Sequence, residues 1–92
     1  MVLHLGGDIM VSLKDIIAII DAKTAMESKD TREFLKIAEE EGFVRKISQK
    51  PPESFILCEI KKNTVVFYSP ISSMTLLKRS RSLRENVLWK ID

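Results

Sequence analysis

Cations are the residues of this chain grouped closely enough to do chemistry. Lys78, Arg79, Arg81 and Arg84 fall within "LLKRSRSLRE", Arg45, Lys46 and Lys50 lie just before a proline pair, and Lys61 stands beside Lys62. Clusters of this kind hold phosphate without reading base sequence, and each cation engaged steepens the salt dependence of binding. A solvated charged face explains any one of them equally well. The net charge is only +2, yet its distribution is uneven. Residues 1–77 carry ten Lys/Arg against eleven Asp/Glu, whereas residues 78–92 carry five against two. Screening confines each charge to about 8 Å at physiological salt, so a local basic stripe can attract a phosphate backbone on a nearly neutral protein. No exposed-aromatic pattern for stacking bases is evident, which ranks single-strand and RNA modes below contact with duplex DNA.

Catalysis finds no comparable grouping. His4 is the only histidine and Cys58 the only cysteine. His4 alternates with apolar residues in "VLHL", the pattern of a strand histidine that serves as a hydrogen-bonding residue, and a general base needs a partner and a substrate pocket. Cys58 lies inside "FILCEI", where a buried inert thiol is expected. "GGD" at Gly6 to Asp8 lacks phosphate-loop spacing and reads as a turn. Asp8, Asp15, Asp21 and Asp30 are too scattered to hold a metal. These residues predict a protein that is not an enzyme, with no cofactor, no metal and no evident small-molecule substrate. The carboxylates Glu39, Glu40 and Glu41 sit at the unfavourable negative end of a helix and need cations from elsewhere. The basic C-terminal helix of a neighbouring subunit would supply them in a head-to-tail contact.

The elements that must position these groups can be read along the chain. Two apolar runs around Gly6 and Gly7 predict a hairpin, and "IIAIID" predicts a strand buried on both faces, so the first 21 residues read as a three-stranded meander. Ser28 or Asp30 caps a first helix whose apolar stripe is Phe34, Leu35, Ile37 and Ala38, and Gly42 ends it. "FVRKI" is a strand, Pro51 and Pro52 stiffen an exposed loop, and "SFILCEI" with "VVFYS" forms a second hairpin joined through Lys61 to Thr64, with Asn63 suited to the turn. Pro70 stops the last strand. Ser72 or Ser73 then caps a second helix that runs to about Leu83, with Leu76, Ser80 and Leu83 on its inner face and Met74, Lys78, Arg81 and Glu85 on the other. Arg79 falls at the border. Trp89 is expected to dock the tail.

The sum is an α+β class fold, about six mostly antiparallel strands with two helices, in one domain over residues 1–92. A single cysteine suggests a reducing compartment, and no run approaches the length of a membrane span, so a cytoplasmic protein with no membrane contact is expected.

"HLGGDIMVSLKDIIAIID", "TREFLKIAEEEGFV" and "FYSPISSMTLLKRS" together resemble the RemB branch of a family of small bacterial regulators of extracellular matrix genes, from Met1 to about Arg81. The resemblance implies a cytoplasmic regulator from a Gram-positive bacterium. In the sister branch, RemA, ring-shaped homo-oligomers bind DNA along a basic outer surface and activate matrix operons. Lys78 and Arg79 match the "KR" of the family's last motif. The sister branch carries an arginine pair where this chain has Lys50, Pro51, Pro52 and Glu53, and a basic residue where Asp15 stands. Both departures remove positive charge. The expected partners are double-stranded DNA and further copies of the chain, with Lys78, Arg79, Arg81 and Arg84 as the principal DNA-binding residues and Arg45, Lys46 and Lys50 in support. A protein-interaction module whose basic helix makes subunit or partner contacts is the alternative.

Overall fold

Alternation of apolar and polar residues makes the first element. Strands β1 (Val2–Gly6) and β2 (Ile9–Ser12) pair antiparallel as a separate two-stranded sheet, with Leu3 opposite Val11 and His4 opposite Met10. Gly6 and Gly7 turn the hairpin at φ 121° and 52°, values that L side chains rarely adopt. The computed structural model describes residues 1–91, with side chains as far as Leu83.

A 3-10 turn at Leu13–Asp15 then swings the chain out of the hairpin, so β3 (Ile16–Asp21) joins a second sheet and pairs with β5 (Ser54–Ile60). The expected three-stranded meander is therefore not formed. The second sheet has the order β3-β5-β6-β4, where β6 is Asn63–Ser69 and β4 is Val44–Lys46. Its pairs are antiparallel except β4 with β6. Because β3 is an edge strand with a register shift between Ile16 and Ala18, Ile17 is turned outward and is 59% exposed. A bulge leaves its extra residue unpaired and bends the strand. The expectation of a strand buried on both faces fails for that reason.

Helix α1 (Ala22–Ala25) is capped by Asp21, which accepts from the Thr24 backbone N–H and hydroxyl at 2.9 Å each. Helix α2 (Lys29–Glu40) opens on Ser28, whose Oγ accepts from Thr31 N at 3.3 Å. It closes on Gly42 at φ 79°, where Phe43 N donates to Ala38 O and Gly42 N to Glu39 O. These two bonds satisfy carbonyls that the helix itself leaves unpaired. Leu35 and Ala38 are buried, but Phe34 and Ile37 are 46% and 57% exposed. The buried stripe is narrower than the periodicity predicted, because α2 presents only one edge of its apolar arc to the sheet.

Sheet two is covered on both faces. On one side Ala22, Ala25, Leu35 and Ala38 pack against Phe55, Val66 and Tyr68. On the other, Leu3, Leu5, Val11 and Leu76 pack against Ile56 and Cys58. The result is three layers: the α1–α2 pair, the sheet, and the β1–β2 hairpin beside α3 (Ser73–Ile91). Among the described residues this is an α+β arrangement with six strands and three α-helices, one short helix more than expected. Helix α3 also extends past Leu83, since neither Gly nor Pro follows Ser73 to stop it. The β5–β6 turn falls on Lys61 and Lys62, at φ 51° and 69°, within the expected Lys61–Thr64 connection, while Asn63 opens β6.

Candidate nucleic-acid interface

The base of α3 is fixed by buried hydroxyls. Ser69 and Ser54, paired across β5 and β6, are 0% exposed. Ser69 Oγ donates to Leu5 O at 2.6 Å and accepts from Ile71 N at 3.0 Å, and Ser54 Oγ donates to Ile71 O at 2.7 Å. Pro70 lies over Gly6, where an added Cβ would come within 3.2 Å of the proline ring. Ser72 is the cap. Its Oγ accepts from Thr75 N at 3.2 Å and donates to Thr75 Oγ1 at 2.9 Å, and its carbonyl takes the first helical bond from Leu76 N. "SPISS" thus sets the direction in which α3 leaves the body of the protein.

With that axis set, Leu76 and Ser80 are buried and Leu83 half-buried. Lys78, Arg79 and Arg81 are exposed. Met74, Lys78 and Arg81 follow at i, i+4 and i+7, so they share the outward face, while Arg79 lies at its border with the core side. Among the described residues the one ion pair joins Lys46 Nζ and Glu39 Oε1 at 3.9 Å, which leaves Lys78, Arg79 and Arg81 with no described carboxylate partner. Arg84, Glu85 and Trp89 lie outside the residues whose side chains are described.

The supporting cations are elsewhere. Helix α3 packs on β3 and β1, whereas β4, which carries Arg45 and Lys46, is the opposite edge of the sheet. The fold does not bring the two groups into one patch. Arg45 Nη1 is also turned back onto Gly42 O at 2.8 Å and Val44 O at 3.0 Å, so this guanidinium closes the α2–β4 turn. Lys46 points to the other face and pairs with Glu39. Both partners of that pair are well exposed, at 67% and 45%, so it contributes under about 1 kcal/mol. It does answer part of the carboxylate excess at the α2 C-terminus within one chain. Lys50 is exposed in the loop before Pro51, with its backbone N–H on Ser48 Oγ.

The groups weighed for catalysis have structural partners. His4 Nε2 lies 2.7 Å from Gly7 O and braces the hairpin turn. The Cys58 thiol is fully buried, and burial, with Asp15 adding to it, pushes its pKa up to about 11. Among the described residues no group of three His, Cys, Asp or Glu side chains could hold a metal ion, and no helix is long and apolar enough to cross a membrane.

Sequence reading missed a second cationic feature. Lys23, Arg32 and Lys36 line a groove over Phe55 and Tyr68, on the sheet face opposite α3. The i, i+4 spacing of Arg32 and Lys36, which puts both on one side of α2, is the signal that could have found it.

The RemA-like family, described as extracellular matrix regulatory protein A-like, matches over residues 2–79. Extracellular matrix regulatory protein B of Bacillus subtilis (strain 168) is 35% identical over 85 residues, covering 92% of this chain and 96% of that protein.

Proposed function

The chain belongs to the RemA-like family of extracellular matrix regulatory proteins, and from that membership we propose that it is a DNA-binding transcriptional regulator of extracellular matrix and biofilm genes. It works in the cytoplasm as a homo-oligomer, in the form of a ring, and holds duplex DNA mainly through phosphates. The observation that carries this reading is the exposure of Lys78 and Arg81 on the outward face, with Arg79 exposed at its border, on a helix whose axis is locked at its base. By sequence, Arg84 extends the cationic surface of α3, and Lys50 is a separate exposed contact away from it. Lys46 remains within reach of phosphate, while Arg45 is largely spent on its own turn.

Three cations per subunit make a weak site. If each neutralises one phosphate, the slope of log K against log salt is about −2.7 for every subunit engaged. A ring multiplies that contact, because linked sites raise avidity without any new interaction. Fluorescence anisotropy with a labelled duplex over a salt series tests the reading. Absence of binding at about 50 mM salt, where counterion release favours contact, would remove it.

A second reading, the oligomeric interaction module, is favoured by one specific observation. Met74 and Leu77 are 67% and 47% exposed among the α3 cations. On α2, Phe34 and Ile37 are exposed among Asp30, Glu33, Glu40 and Glu41. The two surfaces are complementary in charge and both carry apolar centres, as a head-to-tail subunit contact requires. Under this reading Glu40→Lys and Arg81→Glu each lower the mass seen by light scattering, and the double reversal restores it. Unchanged mass in both single variants refutes it.

A further inference from the structure

The groove on the α2 side of the sheet is unconnected with the basic helix. Its volume is about 600 Å³, within the range of small-molecule sites. Phe55, Tyr68 and Leu35 form its floor and are 4%, 9% and 6% exposed. The two aromatic rings meet at 4.8 Å between centroids with their planes tilted by 58°, and together they make an apolar floor. Pro51, Pro52 and Met26 make the walls. Rings and a thioether of this kind pack well against a flat, polarisable body.

The rim has the opposite character. Lys23, Arg32 and Lys36 stand on it against a single lining carboxylate, Glu39, which lies beside the Tyr68 phenol and has one oxygen 3.9 Å from Lys46 Nζ. Arg32 Nη1 donates to Met26 O at 2.7 Å, which aims the guanidinium across the α1–α2 turn and leaves most of its five donors available. Tyr68 adds a phenol kept protonated, because burial and the nearby Glu39 push its pKa up to about 12. The walls are also tied together before any ligand arrives. Ala22 N donates to Glu53 O at 3.0 Å, Glu53 N donates to Ser69 O at 2.8 Å, and Asp21 caps α1. A site whose walls are already fixed loses little to ordering when it binds.

We infer that this groove binds a small organic anion with a planar apolar body, the ring system lying on Phe55 and Tyr68 and the anionic group meeting Lys23, Arg32 and Lys36. A nucleoside phosphate and an aromatic carboxylate share that chemistry. Either would give this regulator an effector site on the face opposite α3.

Anilinonaphthalene sulfonate, an aromatic dye with a flat naphthalene ring and one fixed negative charge, is the probe, titrated by fluorescence into the full chain. One dye binds per chain, and the uncharged phenylnaphthylamine binds about tenfold or more weakly, because it forfeits the cationic rim. K23A/K36A, which alters exposed side chains only and leaves the melting curve in place, weakens the charged dye by at least about tenfold. Lys61→Ala, at the far end of the β5–β6 hairpin, does not change its affinity. Displacement of the dye by adenosine monophosphate identifies the nucleoside-phosphate class, and displacement by indole acetate the aromatic-carboxylate class. Displacement by neither, equal binding of the uncharged dye, or unchanged affinity in K23A/K36A overturns the inference. No DNA enters the assay, so its failure and a failure of the DNA-binding reading are separate results.

Discussion

Replacing Ser69 by alanine removes one oxygen and strands two backbone groups. Ser69 is 0% exposed, and its Oγ serves both Leu5 O at 2.6 Å and Ile71 N at 3.0 Å. Water cannot reach that site to substitute. A buried donor or acceptor left unpaired costs about 1–3 kcal/mol, and the carbonyl loses less than the N–H because it keeps a second lone pair. We expect Ser69→Ala to lose about 2–3 kcal/mol of stability. A domain of this size has a urea m value of about 1 kcal/mol per M, so the unfolding midpoint falls by about 2 M. Far-ultraviolet circular dichroism and tyrosine fluorescence followed through the same titration would establish a single transition. Ser54→Ala breaks only the bond to Ile71 O and should lose about 1 kcal/mol. Ser82→Ala, at an exposed position of α3, should change little. A loss below about 0.5 kcal/mol in Ser69→Ala would show that the hydroxyl does not satisfy those two groups, and the account of how α3 is aimed would fall with it.

Lys61 and Lys62 occupy left-handed backbone at φ 51° and 69°, the geometry that Asn-Gly adopts without strain, so K61N/K62G should raise stability by about 1 kcal/mol in a thermal melt. Gly6→Ala meets both a strained φ and the ring of Pro70 at 3.2 Å, whereas Gly42→Ala meets open space. Gly6→Ala should therefore cost more than Gly42→Ala, by about 1 kcal/mol or more in urea unfolding, and equal losses would deny the Gly6–Pro70 contact. Burial holds the Cys58 pKa at about 11 against an ordinary 9.0, so the unfolded chain gives up the thiol proton first as pH rises. That part of stability is intact below about pH 9 and declines between about 9 and 11. Cys58→Ser should flatten the decline in urea midpoints measured across that window, and in the wild type a thiol reagent at pH 8 should react only once the chain is unfolded.

What could be read from the sequence was whatever the chain decides locally. Ser28 and Ser72 cap helices, Gly42 ends one, and the inner stripe of Leu76, Ser80 and Leu83 follows from the helical period. The β5–β6 hairpin was visible for the same reason, and its turn at Lys61 and Lys62 falls within the expected Lys61–Thr64 connection. Pairing between distant segments was not visible. Nothing in "IIAIID" says that its partner is Ser54–Ile60 and not the strand just before it. The exposure of Phe34 and Ile37 depends on how α2 is rotated over the sheet, and that rotation is set by Phe55 and Tyr68. Among the candidate site residues, Lys78, Arg79 and Arg81 stand on the surface, as the helical wheel required. Arg45 and Lys46, adjacent in sequence, go to different tasks because consecutive strand residues point to opposite faces. The groove over Phe55 and Tyr68 is assembled from five separate elements and had no local signature.

The bond from Ser69 to Leu5 spans 64 positions of the chain, and this has a meaning for how the protein is made. The β1–β2 hairpin leaves the ribosome before the strands and helix that cover it, and a hairpin closes in about 1–10 μs. Its apolar side, Leu3, Leu5 and Val11, is buried by Ile56, Cys58 and Leu76, which are synthesised more than forty residues later. At about 5–20 residues per second that cover arrives seconds afterward. Every nascent copy therefore passes through a period in which a finished hairpin shows a sticky face, and copies growing side by side on one message would have each other as the nearest apolar surface.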